Sequence, residues 1–245
     1  MLRFWRFYYV IARNMHILPG IIRKMRVMVA DSERYSEKER YNYLLHIIEI
    51  MKRTAWIKTE VYGREKLPKN TGYMMYPNHQ GKYDAYGIIE GHGSPCSIVM
   101  DKEKSYIIFV NELVQMVRGK RLDRNDVRQG LTIINELIDE VKQGRKFILF
   151  PEGGYAEGKG NALEEFKAGC FKIPLKTKTP IVPVAIIDSY KVFNSRTIGM
   201  VTTQVHFLEP IMPEEYNGMK TKEIAELVKL RIQNKIDEVM KMTEV

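Results

Sequence analysis

The stretch Tyr73-Met74-Met75-Tyr76-Pro77-Asn78-His79-Gln80-Gly81-Lys82-Tyr83-Asp84 decides the architecture. Its first four residues form a short apolar strand that stops at Pro77. A polar, glycine-containing loop follows, and Asp84 to Glu90 carries a helical pattern. This strand–loop–helix step recurs. Phe147 to Phe150 is a compact apolar strand closed by Pro151, and Ile181 to Ile187 is an apolar, β-branched run expected to be buried. Cys96 to Met100, Trp56 to Tyr62 and Thr202 to Leu208 read as further strands. Helices are expected at Tyr106 to Val117, Val127 to Val141, Ala162 to Lys172 and Thr221 to Met242. Strands that are apolar throughout and alternate with helices predict an α/β fold, a mainly parallel or mixed central sheet flanked by helices. In such sheets ligands bind beyond the carboxyl ends of the strands, so Asn78 to Asp84 and Pro151 to Tyr155 are the first places to look for chemistry.

The 245 residues are 44% hydrophobic and 28% charged, which excludes a disordered, collagenous or repeat-built chain. Cys96 and Cys170 cannot make a disulfide framework and have no Cys or His at zinc-ligand spacing, so no metal site is expected and a reducing, cytosolic setting fits. No uncharged run exceeds about a dozen residues, short of the ~20 needed to span a membrane.

The net charge of +9 is unevenly placed. Arg3, Arg6, Arg13, Arg23, Lys24 and Arg26 all precede the first acid, Asp31, leaving +3 (nine less six) for the rest of the chain. At helical spacing Phe4, Phe7, Tyr8, Ile11 and Met15 share one face, and the arginines Arg3, Arg6 and Arg13 another. Ile21, Ile22, Met25, Met28 and Val29 form a second stripe beyond the break at Pro19-Gly20. The pattern predicts an N-terminal amphipathic helix pair. It suits a membrane interface, and packing on the protein's own core is the plainer alternative. Arg13 interrupts the run Phe7 to Ala12, and no small-residue cleavage site follows, which argues against a signal peptide. With no nucleic-acid module after it, no nucleic-acid partner is expected. The expected division is residues 1–50 as a helical membrane-association segment and 51–245 as the α/β body. Ser36 to Glu39 has capping-box spacing and starts a further helix within the first of these.

Four segments carry chemistry-bearing residues. In the first, a turn from strand to helix would let Asp84 fold back onto His79. A carboxylate on one ring nitrogen fixes the tautomer and makes the other a better base; a capped loop histidine is the plainer alternative. In the second, Gly153 and Gly154 let backbone amides approach an anion or a developing oxyanion, and Glu152 is placed to bind a hydroxyl. The third, Arg118 to Arg124, puts four cations in seven residues, either a phosphate site or a solvated loop. The fourth, Pro180 to Ala185, is mostly core.

In order and spacing these segments resemble the glycerolipid acyltransferase family, which includes the 1-acylglycerol-3-phosphate acyltransferases. That family's first block, Asn-His, four residues, then Asp, is matched by Asn78, His79 and Asp84. The arginine of its second block is matched by Arg124. Phe-Pro-Glu-Gly-Thr-Arg is matched by Phe150 to Gly153, with Gly154 and Tyr155 where Thr and Arg are usual. Phe166-Lys167-Ala168-Gly169 and Val182-Pro183-Val184 complete the resemblance, which spans Thr71 to Ile187.

The resemblance implies a membrane-associated O-acyltransferase. The donor would be a fatty acyl thioester on coenzyme A or acyl carrier protein, used as co-substrate with no cofactor and no metal. The acceptor would be the hydroxyl of a lysophospholipid, 1-acylglycerol-3-phosphate before others. His79 would take the hydroxyl proton, Asp84 would orient His79, and attack would be direct, with no acyl-enzyme. Asn78 would position the reacting groups, and Arg124, Glu152 and Gly153 would hold the head group. Lys120, Arg121 or Lys167 would supply the charge missing at Tyr155. The expected location is the cytoplasmic face of the cell membrane, peripheral or monotopic. Membrane lipids are the expected partner through the basic N-terminus, with acyl carrier protein where it brings the donor. The alternatives are a catalytically silent lipid-binding protein of the same fold and a thioesterase or lipase-type hydrolase.

Overall fold

The computed structural model describes residues 4–194 and 196–243; Arg3, one of the N-terminal cations, lies outside them. The chain opens with helices α1 (Trp5–Asn14) and α2 (Leu18–Ala30). They separate before Pro19, not at it, because proline fits the first turn of a helix, where its missing N–H forfeits no bond. Helix α3 (Glu37–Ala55) starts from the expected capping box, with Ser36 Oγ accepting from Glu39 N and Glu39 Oε2 accepting from Ser36 N. There follow β1 (Ile57–Tyr62), β2 (Tyr73–Pro77), α4 (Asp84–His92), β3 (Ser97–Asp101), α5 (Val110–Met116) and β4 (Lys120–Leu122). Next come α6 (Val127–Lys142), β5 (Lys146–Ile148), α7 (Lys172–Thr177), β6 (Ile181–Ile187), α8 (Tyr190–Asn194), β7 (Val201–Phe207) and α9 (Thr221–Thr243).

Among the described residues seven strands form one sheet in the order β1-β7-β6-β2-β5-β3-β4. From β6 to β4 the strands are parallel. β7 runs antiparallel to β6, and β1 parallel to β7, so the sheet is mixed. Alternation along β2 explains why it had to be apolar throughout. Tyr73 and Met75 join one cluster with Met25, Leu44, Ile48, Leu113 and Val184, while Met74 and Tyr76 join another with Leu137, Phe147, Phe171, Ile224 and Val228. Each such side chain contributes about 1.5–3 kcal/mol when fully buried, before ordering entropy is set against it.

The N-terminal segment shares this core. Met25 and Met28 of α2 and Tyr41, Leu44, Ile47 and Ile48 of α3 lie in the first cluster, and the expected boundary at residue 50 falls inside α3. The apolar face expected on α1 is divided. Phe7 meets Phe193 edge-on, and Phe4 and Phe7 both face Lys82. Tyr8, Ile11 and Met15 are exposed. Arg6, expected among the outward cations, is buried and donates to the carbonyls of Ala55, Thr197 and Gly199. Its charge pins α1 to the body.

Three local expectations change. Ala162 to Lys172 is not one helix: Lys167 N bonds Pro151 O and Phe166 is buried, so tertiary contacts draw residues 162–167 along the loop after β5, a short 3-10 turn covers Ala168–Phe171, and α7 begins only at Lys172. The helix expected from Tyr106 starts at Val110, because Phe109 has φ +75° and Glu112 bonds back to its amide. The basic run Arg118 to Arg124 contains a short edge strand, β4, beside β3. No helix is long and apolar enough to cross a membrane among the described residues.

Candidate active site

Because β6, β2, β5, β3 and β4 are parallel, their carboxyl ends meet along one edge, and the loops that leave them converge there. The loop after β2 carries His79. Asp84, first residue of α4, turns back to it, with Oδ2 2.7 Å from Nδ1. The carboxylate side chain is wholly buried and the imidazole is 19% exposed. Asp84 Oδ2 also accepts from the amides of Gln80 at 2.5 Å and Gly81 at 2.9 Å, and Oδ1 accepts from Ser189 Oγ. The loop is therefore wound around the carboxylate, which fixes the imidazole with Nδ1 inward. Nε2 has no hydrogen-bond partner among the described residues. Phe150 stacks on the ring at 4.1 Å between centroids, and Tyr155 meets it edge-on at 4.7 Å. Burial, and after it the Asp84 charge, pushes the Tyr155 phenol above its usual pKa.

The other residues singled out in the sequence divide by position. Asn78 is buried, and its amide bonds both the N–H and the C=O of Ile186 at 2.7 and 2.9 Å. It ties the loop to β6 and does not face the open side of the site. Glu152 braces the His79 loop from behind: Oε1 accepts from His79 N at 2.9 Å, and Oε2 pairs with Lys159. Its side chain is fully buried, and both oxygens expected to face a substrate hydroxyl are engaged within the protein. Gly153 has φ +74°, and a Cβ there would lie 2.6 Å from Lys167 Nζ, so glycine is what lets this cation lie against the loop. Arg124 is partly exposed and salt-bridged to Asp101 at 2.9 Å. Its Nη1 lies 3.8 Å from where a Gly154 Cβ would be. Arg124 and Lys167 thus flank the Gly153-Gly154 turn.

Lys120 and Arg121 do not join them. Lys120 pairs with Glu136 and Glu140 on α6, at 2.8 and 2.5 Å. Arg121 bonds Ser105 Oγ at 3.0 Å and Asn111 Oδ1 at 2.8 Å. Both lie in β4, where side chains alternate between faces, so the run of cations is parted between the sheet's flanks.

Three site residues were not marked by the sequence. Gln80 ties the His79 loop to Asn161 and Ile186 through Nε2 and accepts from Ser189 N. Ser189 holds the far oxygen of Asp84. Lys159 neutralises Glu152. Ser189 and Asn161 are brought in by long-range folding; Gln80 sits within the first segment, and only its neighbours there pointed to it. Among the described residues no group of three His, Cys, Asp or Glu side chains is placed to hold a metal ion.

A protein-family model described as Acyltransferase matches residues 58–187. The chain is 26% identical over 198 residues to a 1-acyl-sn-glycerol-3-phosphate acyltransferase of Saccharomyces cerevisiae, covering 78% of this chain and 63% of that one. It is 27% identical over 175 residues to a protein of the same name from Salmonella typhimurium, covering 71% of each. In fold it is similar to the crystal structure of the 1-acyl-sn-glycerophosphate (LPA) acyltransferase PlsC from Thermotoga maritima, with TM-score 0.73 over 98% of this chain and 95% of that one, at 22% identity.

Proposed function

The chain belongs to the Acyltransferase family, and from that premise we propose that it moves a fatty acyl group from a thioester to the hydroxyl of a lysophospholipid, with 1-acylglycerol-3-phosphate as the first candidate acceptor. The names of its relatives support that acceptor. One observation carries the chemistry: His79, partly exposed at the strand ends, has Nδ1 held by a buried carboxylate and Nε2 without a partner among the described residues.

In this reading Nε2 takes the proton of the acceptor hydroxyl as its oxygen attacks the thioester carbonyl. The carbon–sulfur bond then breaks, and the thiolate leaves on coenzyme A or acyl carrier protein and is protonated by the imidazolium. Asp84 stabilises that imidazolium while it carries the proton. The Gly153 amide is already donated to Phe150 O at 3.1 Å, so the Gly154 amide is the one offered to the developing oxyanion or the acceptor phosphate, and Arg124 and Lys167 supply positive charge beside it. Asn78 and Glu152 act one step back, on the loop that carries His79.

The protein works at a membrane surface in this account. α1, α2 and the turn between them present Tyr8, Ile11, Met15 and Val27 outward beside the exposed cations Arg13 and Arg23, a composition suited to an anionic interface on the cytoplasmic face.

The test is transfer of a labelled acyl group, offered on coenzyme A and on acyl carrier protein, to a panel of lysolipids. The expected product is a diacyl phospholipid, formed fastest from the phosphate-bearing acceptor. Release of free fatty acid alone would show a hydrolase, and no turnover on any acceptor would show a binding protein.

A further inference from the structure

The segment between β3 and α5 does not behave like a surface loop. Tyr106, Ile107 and Ile108 stand in succession at 60%, 60% and 69% exposure. A lone exposed isoleucine needs no explanation, but three large apolar residues in a row on one projection do.

The projection is braced from both sides. Ser105 Oγ donates to Lys102 O at 2.6 Å and accepts from Arg121 Nε at 3.0 Å. The Arg121 guanidinium lies 4.8 Å from the Tyr106 ring centre and bonds Asn111 at 2.8 Å. On the far side Phe109 takes φ +75°, a conformation L-residues avoid, held by Glu112 Oε2 accepting from its amide at 2.8 Å. Glu112 is itself buried and salt-bridged to Arg26 of α2 at 2.6 Å. The loop is thereby fixed to the N-terminal helix pair. Ile108 joins Met15, Leu18, Pro19, Ile22 and Val27 around a shallow cleft of about 550 Å³, rimmed by Arg23 and Arg26.

We propose that Tyr106-Ile107-Ile108 is a second membrane-insertion element, which enters an anionic phospholipid surface together with the outward face of α1 and α2. This rests on the membrane reading given above and adds to it a segment nearly 80 residues away in sequence. Two observations favour a lipid surface over a protein partner. The apolar patch is continuous with the amphipathic pair, and its rim is cationic: Arg26 stays exposed while paired with buried Glu112, and Arg23 and exposed Lys104 stand against the single exposed acid Glu103 within the loop. Insertion here also places the site against the bilayer. Asp101, at the start of this loop, holds Arg124, which flanks the Gly153-Gly154 turn. A lysolipid would meet those cations without leaving the head-group layer.

The test uses the full chain and vesicles of phosphatidylcholine with phosphatidylglycerol, read by co-sedimentation. Three variants are compared with the parent: Ile107→Glu with Ile108→Glu, Ile107→Leu with Ile108→Leu, and Tyr8→Glu with Met15→Glu. Thermal melts confirm folding. Each glutamate pair should lower the partition coefficient about 10-fold or more, because an inserted apolar side chain is lost and a charge gained, while the leucine pair should bind like the parent. If the loop glutamates bind like the parent and the helix glutamates are released, the loop does not insert and only the helix pair anchors. If neither pair alters binding, or the parent does not sediment with vesicles, the membrane reading and this inference fail together. If the loop glutamates leave vesicle binding unchanged and abolish a dimer seen by light scattering, the patch is a self-association face and the proposal is overturned.

Discussion

The strand–helix unit from Tyr73 to His92 has a histidine at each end, and the two are held in opposite ways. At the carboxyl end of β2, His79 has Nδ1 on the Asp84 carboxylate, and its ring is partly open. At the other end of the sheet, His92 closes α4 with both nitrogens engaged: Nε2 lies 2.6 Å from the Tyr73 hydroxyl and Nδ1 2.7 Å from Ser94 O. Burial pulls the His92 imidazole down to about 4. It carries no counter-charge, so it is kept neutral and structural. His79 is given a carboxylate that would stabilise it once protonated. In the proposed mechanism the same side chain serves as a proton carrier at one end and a brace at the other according to what faces it, and the parallel strands would make the His79 end the working one.

The comparison breaks most readily at Asp84. Asp84→Asn keeps the shape of the loop but removes the charge that would hold an imidazolium. Acyl transfer should fall by about 10²-fold or more, measured as turnover at saturating donor and acceptor. A variant with near-parent turnover would put Asp84 in the same structural class as Tyr73.

Arg124 sharpens the working end. Hydrogen bonds to charged groups are worth about 1.5–3 kcal/mol, so Arg124→Ala should cost about 10- to 150-fold in acceptor kcat/KM and leave the donor KM nearly unchanged. The loss should be confined to phosphate-bearing acceptors. Equal loss on an uncharged alcohol would show that Arg124 acts only by holding Asp101.

The smallest effect on activity belongs to the structural end. Tyr73→Phe leaves His92 Nε2 buried without its partner, which should lower stability by about 1–3 kcal/mol while turnover stays within a few-fold. The pH dependence has a definite sign. The folded His92 pKa is depressed from 6.5 to about 4, so between those values the unfolded chain binds a proton that the folded one does not. The contribution is present above pH 6.5 and is lost as pH falls towards 4, a difference of about 3 kcal/mol at the acid limit. Melts of His92→Ala should show a shallower acid slope than the parent over that window, and an unchanged slope would remove His92 from the account.

The geometry of the His79 loop was legible in the sequence because its signals are local. Pro77 stops a strand, five positions separate His79 from Asp84, and a glycine pair follows an apolar strand. What the sequence hid depends on distance along the chain or on strand pleating. Lys120, Arg121 and Arg124 look alike in a row, yet β4 sends the first to α6 and the second to Ser105 and to Asn111 of α5, leaving the third beside Gly154. Glu152 looked ready for substrate, but its partner Lys159 and its bond to the His79 amide are tertiary. Arg6 read as an interfacial cation, since nothing in its neighbours foretells the three carbonyls it reaches some 50 to 190 residues away. His92 drew no notice, because a buried histidine bonded to a phenol leaves no motif.

The most direct measurement sets the two histidines against each other. His79→Ala and His92→Ala would be prepared alongside the parent, and acyl transfer and thermal unfolding recorded on the same samples. The account predicts a crossed result. His79→Ala loses about 10²–10⁴ in turnover with its melting temperature nearly unchanged, and His92→Ala melts several degrees lower while its turnover stays near the parent's. A folded His79→Ala protein with near-parent turnover would contradict the claim that this end of the unit performs the chemistry.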